Sequence, residues 1–101
     1  MVLQQNVTID RAAIAEFCRR NGIRKLALFG SVLGDEFRPD SDVDVLVEFE
    51  NGKTPGFHFF GLQDELSEMI GRNVDLNTRG FLGPRITAKV EPVAEVIYSA
   101  D

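Results

Sequence analysis

Apolar residues recur along this chain with two different periods, and the switches between them mark out its elements. Between Asp10 and Asn21 they fall at Ile14, Phe17 and Cys18, the spacing of a helix's inner stripe. Asp10 is a good N-cap, Ile9 and Ile14 have the offset of a hydrophobic staple, and Gly22 supplies the stop. Lys25 to Phe29 is a short apolar run of strand length between Gly22 and Gly30. Gly30-Ser31 opens a segment, Val32 to Glu36, with room for one or two helical turns before Arg38-Pro39-Asp40-Ser41 breaks it. From Ser41 to Phe49 the period becomes two: Val43, Val45, Val47 and Phe49 face one way, and Asp42, Asp44, Leu46 and Glu48 the other.

Glu50-Asn51-Gly52-Lys53 reads as a solvated loop, and Thr54-Pro55 as an N-cap followed by the proline that helices accept at their first position. Leu62, Leu66, Met69 and Ile70 then make a helical stripe ending at Gly71. Phe57, Phe59 and Phe60, which lead into it, read as core residues sooner than as a partner interface. Arg72 to Asn77 repeats the strand pattern, with Val74 and Leu76 on one face and Asn73, Asp75 and Asn77 on the other. After Gly80, Gly83 and Pro84 the spacing predicts a last helix over Arg85 to Glu91 and a closing apolar segment, Ala94 to Tyr98. The mixture predicts one α/β (α+β) domain over residues 1–101 with two packed layers.

Charge narrows the function. Sixteen acidic against 11 basic residues give a net charge of −5, which argues against a nucleic-acid platform held by lysines and arginines on phosphates. Phosphate ligands that arrive with a metal stay open. The single Cys18 forms no internal disulfide and lies on the helix's apolar stripe, where a buried, inert thiol is expected. No apolar run approaches the roughly 18 residues of a membrane span, and residues 1–10 lack the pattern of a secretory signal, so a cytoplasmic location is expected.

The chemistry concentrates in "LFGSVLGDEFRPDSDVDVLVEF", residues 28–49. Asp42 and Asp44, at i and i+2 on a strand, point the same way, and Asp75 is a third carboxylate on another strand's polar face. Anions packed on one sheet face repel unless a cation sits among them, and oxygen-seeking Mg²⁺ suits carboxylates that leave positions for water and phosphates. Gly30-Ser31 after a strand lets backbone approach an anion closely, though it is neither a P-loop nor a dinucleotide fingerprint. An EF-hand loop from Asp40, Asp42 and Asp44 fails, because Val45 stands where that loop needs glycine and Asn51 where it needs glutamate. Two readings remain on the residues alone, a metal-phosphate site and an exposed acidic turn leading into a strand.

Taken together, Gly30-Ser31, Gly34, the string Pro39-Asp40-Ser41-Asp42-Val43-Asp44-Val45-Leu46-Val47, and Val74-Asp75-Leu76 resemble the minimal nucleotidyltransferases of the DNA polymerase β-like superfamily, of the kind that serve as antitoxins to HEPN-domain toxins. The resemblance covers essentially the whole chain. It implies a two-layer fold with a short mixed β-sheet and helices packed on one face. By position it implies that Gly30, Ser31 and Ser41 bind the nucleotide, that Asp42 and Asp44 bind two Mg²⁺ ions, and that Asp75 completes the metal site and helps ready the attacking hydroxyl. It further implies ATP as donor of AMP and, as acceptor, a tyrosine hydroxyl on a HEPN ribonuclease encoded nearby, in a hetero-oligomer. The alternative is a non-catalytic antitoxin that neutralises its partner by contact.

One departure from the family stands out. Many members carry arginines between the Gly-Ser pair and the next glycine, where this chain has Val32 and Leu33. Arg38 is the basic residue that compensates if any does, and His58 receives no catalytic role.

Overall fold

In the computed structural model, which describes residues 2–4 and 7–100, the chain runs β1 (Val2–Gln4), β2 (Val7–Thr8), α1 (Arg11–Arg20), β3 (Ile23–Phe29), β4 (Val43–Phe49), α2 (His58–Ile70), β5 (Val74–Asn77), α3 (Arg79–Val90) and β6 (Glu95–Ser99). The four longer strands form one sheet in the order β5-β4-β3-β6. β3 is antiparallel to both of its neighbours, and β4 and β5 are parallel, so the sheet is mixed. β1 and β2 make a separate antiparallel hairpin.

The elements start where local chemistry satisfies their ends. Asp10 Oδ1 accepts the Ala13 N–H at 3.1 Å, capping α1 as its sequence predicts. Thr78 Oγ1 accepts the Phe81 N–H at 3.3 Å and does the same for α3. Ile14, Phe17 and Cys18 from α1, and Leu62, Leu66 and Ile70 from α2, meet Leu26 and Leu28 of β3, Val43, Val45 and Val47 of β4, Val74 and Leu76 of β5, and Ile97 of β6 in one buried cluster. Both helices therefore cover the same sheet face. The opposite face carries Asp44, Glu48 and Asp75. On that face Ala27 and Leu46 are buried beneath the link between α3 and β6, where Glu91 and Ala94 stand over a small hollow also lined by Lys25, Glu48 and Val96.

Side chains of the helices also finish the sheet's edges. The N–H groups of Val74 and Leu76 on edge strand β5 donate to Ser67 Oγ and Gln63 Oε1 of α2, each at 3.0 Å. On the other edge, Arg11 Nη1 donates to Ile97 O of β6 at 3.3 Å.

Several boundaries differ from the sequence reading, each for a local reason. β3 begins two residues earlier, at Ile23, because Gly22 at φ +66° turns the chain directly into it. The helical turns expected over 32–36 form instead as a 3₁₀ turn at Gly30–Leu33. β4 and β5 start at Val43 and Val74, which leaves Asp42 in the approach to its strand. Thr54-Pro55 does not cap α2; the helix begins at His58 after Phe57, with no side-chain cap. The last helix begins at Arg79, and Gly83, at φ 80° and ψ 162°, breaks it, so the predicted segment is its second half, opened by Pro84. The β1–β2 hairpin went unpredicted.

Gln63 tests how α2 holds β5. Gln63→Leu leaves the Leu76 N–H without its acceptor and should lower the unfolding free energy by about 1–3 kcal/mol, read as a lower urea midpoint at unchanged m.

Candidate active site

The polar face converges at one end of the sheet because three strands are in register there. Asp44 lies opposite Phe29 on β3 and opposite Asp75 on β5. Gly30 follows Phe29 directly, at φ +79°. A side chain at this position is excluded twice, by that backbone angle and by space, since a Cβ would overlap Asp44 Oδ2 and lie 3.2 Å from Asp44 Cγ. The glycine thus lets the backbone of the 3₁₀ turn pass against the carboxylate. Ser31 is half-buried in that turn.

Electrostatics at Asp44 is one-sided. Its pKa is raised from 3.8 to about 6, first by burial, then by the charges of Asp75 and Asp42, and by a hydrogen bond shared with Asp75. The four largest influences on it all act in this one direction. Asp44 and Asp75 are brought into direct contact, while Asp42 acts on Asp44 by its charge from an exposed position. Among the described residues no three His, Cys, Asp or Glu side chains close into a preformed cage. The donors here are oxygen only, and Asp75 and Asp42 both press on Asp44 with like charge. That combination fits Mg²⁺, which is usually held by one or two carboxylates and takes its other oxygens from water and substrate phosphates.

The approach to Asp42 is a closed turn. Ser41 N–H donates to Arg38 O at 3.0 Å, and Arg38 N–H donates to Ser41 Oγ at 2.9 Å, so the Ser41 hydroxyl oxygen is engaged within the turn. Arg38 itself is exposed. The sequence reading gave Arg72 only the start of a strand, yet its Nη2 donates to Arg38 O at 3.0 Å and to Ser41 O, and its guanidinium lies 4.5 Å from the centre of the Phe37 ring. No periodic signal marks such a residue, because its partners are backbone carbonyls more than thirty positions away.

Other candidates resolve simply. Val32, which stands in place of a family arginine, is 1% exposed and belongs to the core, whereas Leu33 is at the surface. Burial pushes the Cys18 thiol up to about 12, so it is inert at neutral pH. His58 is exposed beside Gly61. Of Phe57, Phe59 and Phe60, only Phe59 is core; Phe57 and Phe60 are exposed, and the rings of Phe60 and the exposed Phe81 meet Phe59 edge-on. No helix of the described residues is long and apolar enough to cross a membrane.

Residues 11–94 match the family of nucleotidyltransferase domains. The chain belongs to this family. Its similarity to the protein adenylyltransferase MntA of Thermococcus cleftensis is 34% identity over 99 residues, covering 97% of this chain and 96% of that protein. In structure this nucleotidyltransferase is similar to a toxin–antitoxin complex solved with AMP-PNP, at TM-score 0.73 and 18% identity over 90% of this chain and 74% of that one. It is similar too to a complex of tri-AMPylated Shewanella oneidensis HEPN toxin with its MNT antitoxin, at TM-score 0.66 and 19% identity over 97% and 73% of the two chains. These likenesses show the fold of a minimal nucleotidyltransferase, α+β with a mixed four-stranded sheet and three helices.

Two measurements probe the geometry. Gly30→Ala should displace either the turn or the Asp44 carboxylate and weaken nucleotide binding at least tenfold, read by calorimetric titration with an ATP analogue. Asp44, raised from 3.8 to about 6 in the fold, contributes stability that is complete below its unfolded pKa and is lost as pH rises through 6. Asp44→Asn, whose amide can donate to Asp75, should therefore stabilise the metal-free protein by about 1–2 kcal/mol at pH well above 6, a figure already reduced for partial exposure. Melting temperatures across pH will show that gain vanish in acid.

Proposed function

We propose that this nucleotidyltransferase is a Mg²⁺-dependent protein adenylyltransferase. It transfers AMP from ATP to a hydroxyl, a tyrosine's in this reading, of a HEPN ribonuclease toxin, and so acts as that toxin's antitoxin. The observation that carries the reading is the contact of Asp44 with Asp75, in register beside the Gly30 corner. A pair of acids held together against their mutual repulsion serves a binding module poorly and a metal-assisted phosphoryl transfer well. The adenylyltransferase relative and the AMPylated toxin complex support the choice of donor and acceptor.

In this reading Asp42, Asp44 and Asp75 hold two Mg²⁺ ions together with the triphosphate. Bound there, such ions would offset the charge that builds on the attacking and leaving oxygens. The residues of the chain do the rest. Gly30 and Ser31 present backbone and hydroxyl to the phosphates, and Ser41 borders them. With the α-phosphorus so placed, the acceptor oxygen forms its bond to phosphorus as the bond to pyrophosphate breaks. Asp75, which is exposed, takes the acceptor's proton in this reading. The acids stand at an open surface, so the partner supplies the wall that excludes water. The exposed Phe57, Phe60 and Phe81 are in keeping with a chain that works against another protein's surface.

The purified chain, incubated with Mg-ATP and its HEPN partner, should shift the partner's intact mass by one or more AMP units. Asp44→Ala should reduce the rate by at least a hundredfold and relieve inhibition of the ribonuclease. No adduct with wild type, alongside undiminished inhibition by Asp44→Ala, would leave neutralisation by contact as the function.

A further inference from the structure

We propose that Arg72 is a positioning residue for the metal-binding end of this site: it sets the place of Asp42 relative to Asp75. The inference rests on the metal-dependent reading above and assigns a residue to it. Asp42 lies between two backbone anchors. On one side, Ser41 O accepts from Arg72 Nη2, which also holds Arg38 O at 3.0 Å. On the other, the Val43 N–H donates to Asn73 O at 2.8 Å. Both anchors come from consecutive residues, Arg72 and Asn73, on the segment that enters β5 and reaches Asp75 two residues later. The chain that carries one acid therefore grips the chain that carries another.

The grip is specific to a guanidinium. One Nη2 reaches two carbonyls while the planar group rests on the Phe37 ring, itself packed against the core, so Arg72 is braced from the hydrophobic side. The turn it holds is closed by its own bonds between Arg38 and Ser41, and so moves as a unit. Without the clamp that unit pivots about Val43, and Asp42 swings with it. Gly30 follows β3 on one side of Asp44, and Arg72 leads into β5 on the other.

The test compares wild type with Arg72→Met, Arg72→Lys and Asp44→Asn. Mn²⁺ is titrated by EPR in the presence of an α,β-methylene ATP analogue, the analogue alone is titrated without metal, and amide exchange is followed at residues 40–42. Arg72→Met should bind Mn²⁺ about tenfold more weakly, in the range found when groups supporting metal ligands are removed, with faster exchange at 40–42 and an unchanged affinity for the metal-free analogue. Arg72→Lys should fall between Arg72→Met and wild type, and it carries the measurement if Arg72→Met fails to fold. Wild-type Mn²⁺ affinity in the Arg72 variants, with or without a lower Tm, overturns the proposal. So does a loss of metal-free analogue binding, which would put the guanidinium on the nucleotide. Asp44→Asn separates the two levels: undiminished Mn²⁺ binding there defeats the metal reading itself, while its loss alongside intact binding in the Arg72 variants defeats only the role of Arg72.

Discussion

Two carboxylates on adjacent strands, Asp44 and Asp75, face each other across a parallel ladder, and the hydrophobic core lies on the other side of the sheet from them. Left to themselves they would separate, because burial and mutual charge both disfavour ionised Asp44. They stay together because the backbone gives them no choice. Pairing in register places them side by side, and β4 is held between two neighbours while β5 is bonded to α2 by Ser67 and Gln63. The energy for this comes from the apolar face, where α1 and α2 bury Val43, Val45, Val74 and Leu76 against the same strands. One face supplies stability and the other spends part of it on chemistry.

The division follows from the period of two. Each strand that crosses the site alternates between the two faces, so every valine that fixes β4 into the core puts an acid or its neighbour on the polar face. A one-residue slip of β4 would bury Asp44 among aliphatic side chains and expose Val43 and Val45. The hydrophobic pattern that secures the fold therefore also secures the orientation of the site. Gly30 completes the arrangement by removing the one Cβ that would collide with the Asp44 carboxylate.

What could be read from the sequence and what could not divide along the same physical lines. Helix α1, the alternation of β4, the polar face of β5, and the pairing of a Gly-Ser corner with acids were all legible, because each is a short-range pattern in one segment. Ends were less so: Thr54-Pro55 has the composition of a helix start, yet the chain waits until His58, and Gly83 divides a helix whose second half alone showed a pattern. The Arg72 clamp and the bonds from Gln63 and Ser67 to β5 were not legible at all. They join side chains to backbone atoms across the fold, and a backbone acceptor has no residue type to betray it. Val32 read in sequence only as the place of a missing arginine, and its part in the core appears only in the fold, where it is buried.

The bonds at the two outer strands have a consequence for how the molecule meets copies of itself. An open four-stranded sheet offers unpaired N–H and C=O groups along both sides, the template on which chains add to one another and aggregate. Here α2 occupies N–H groups of β5 with Gln63 and Ser67, and α1 places the charged Arg11 on a carbonyl of β6. Any strand seeking to extend the sheet must first displace a helix side chain. With both margins guarded in this way, the acids can stand at an open surface without the sheet as a whole becoming adhesive.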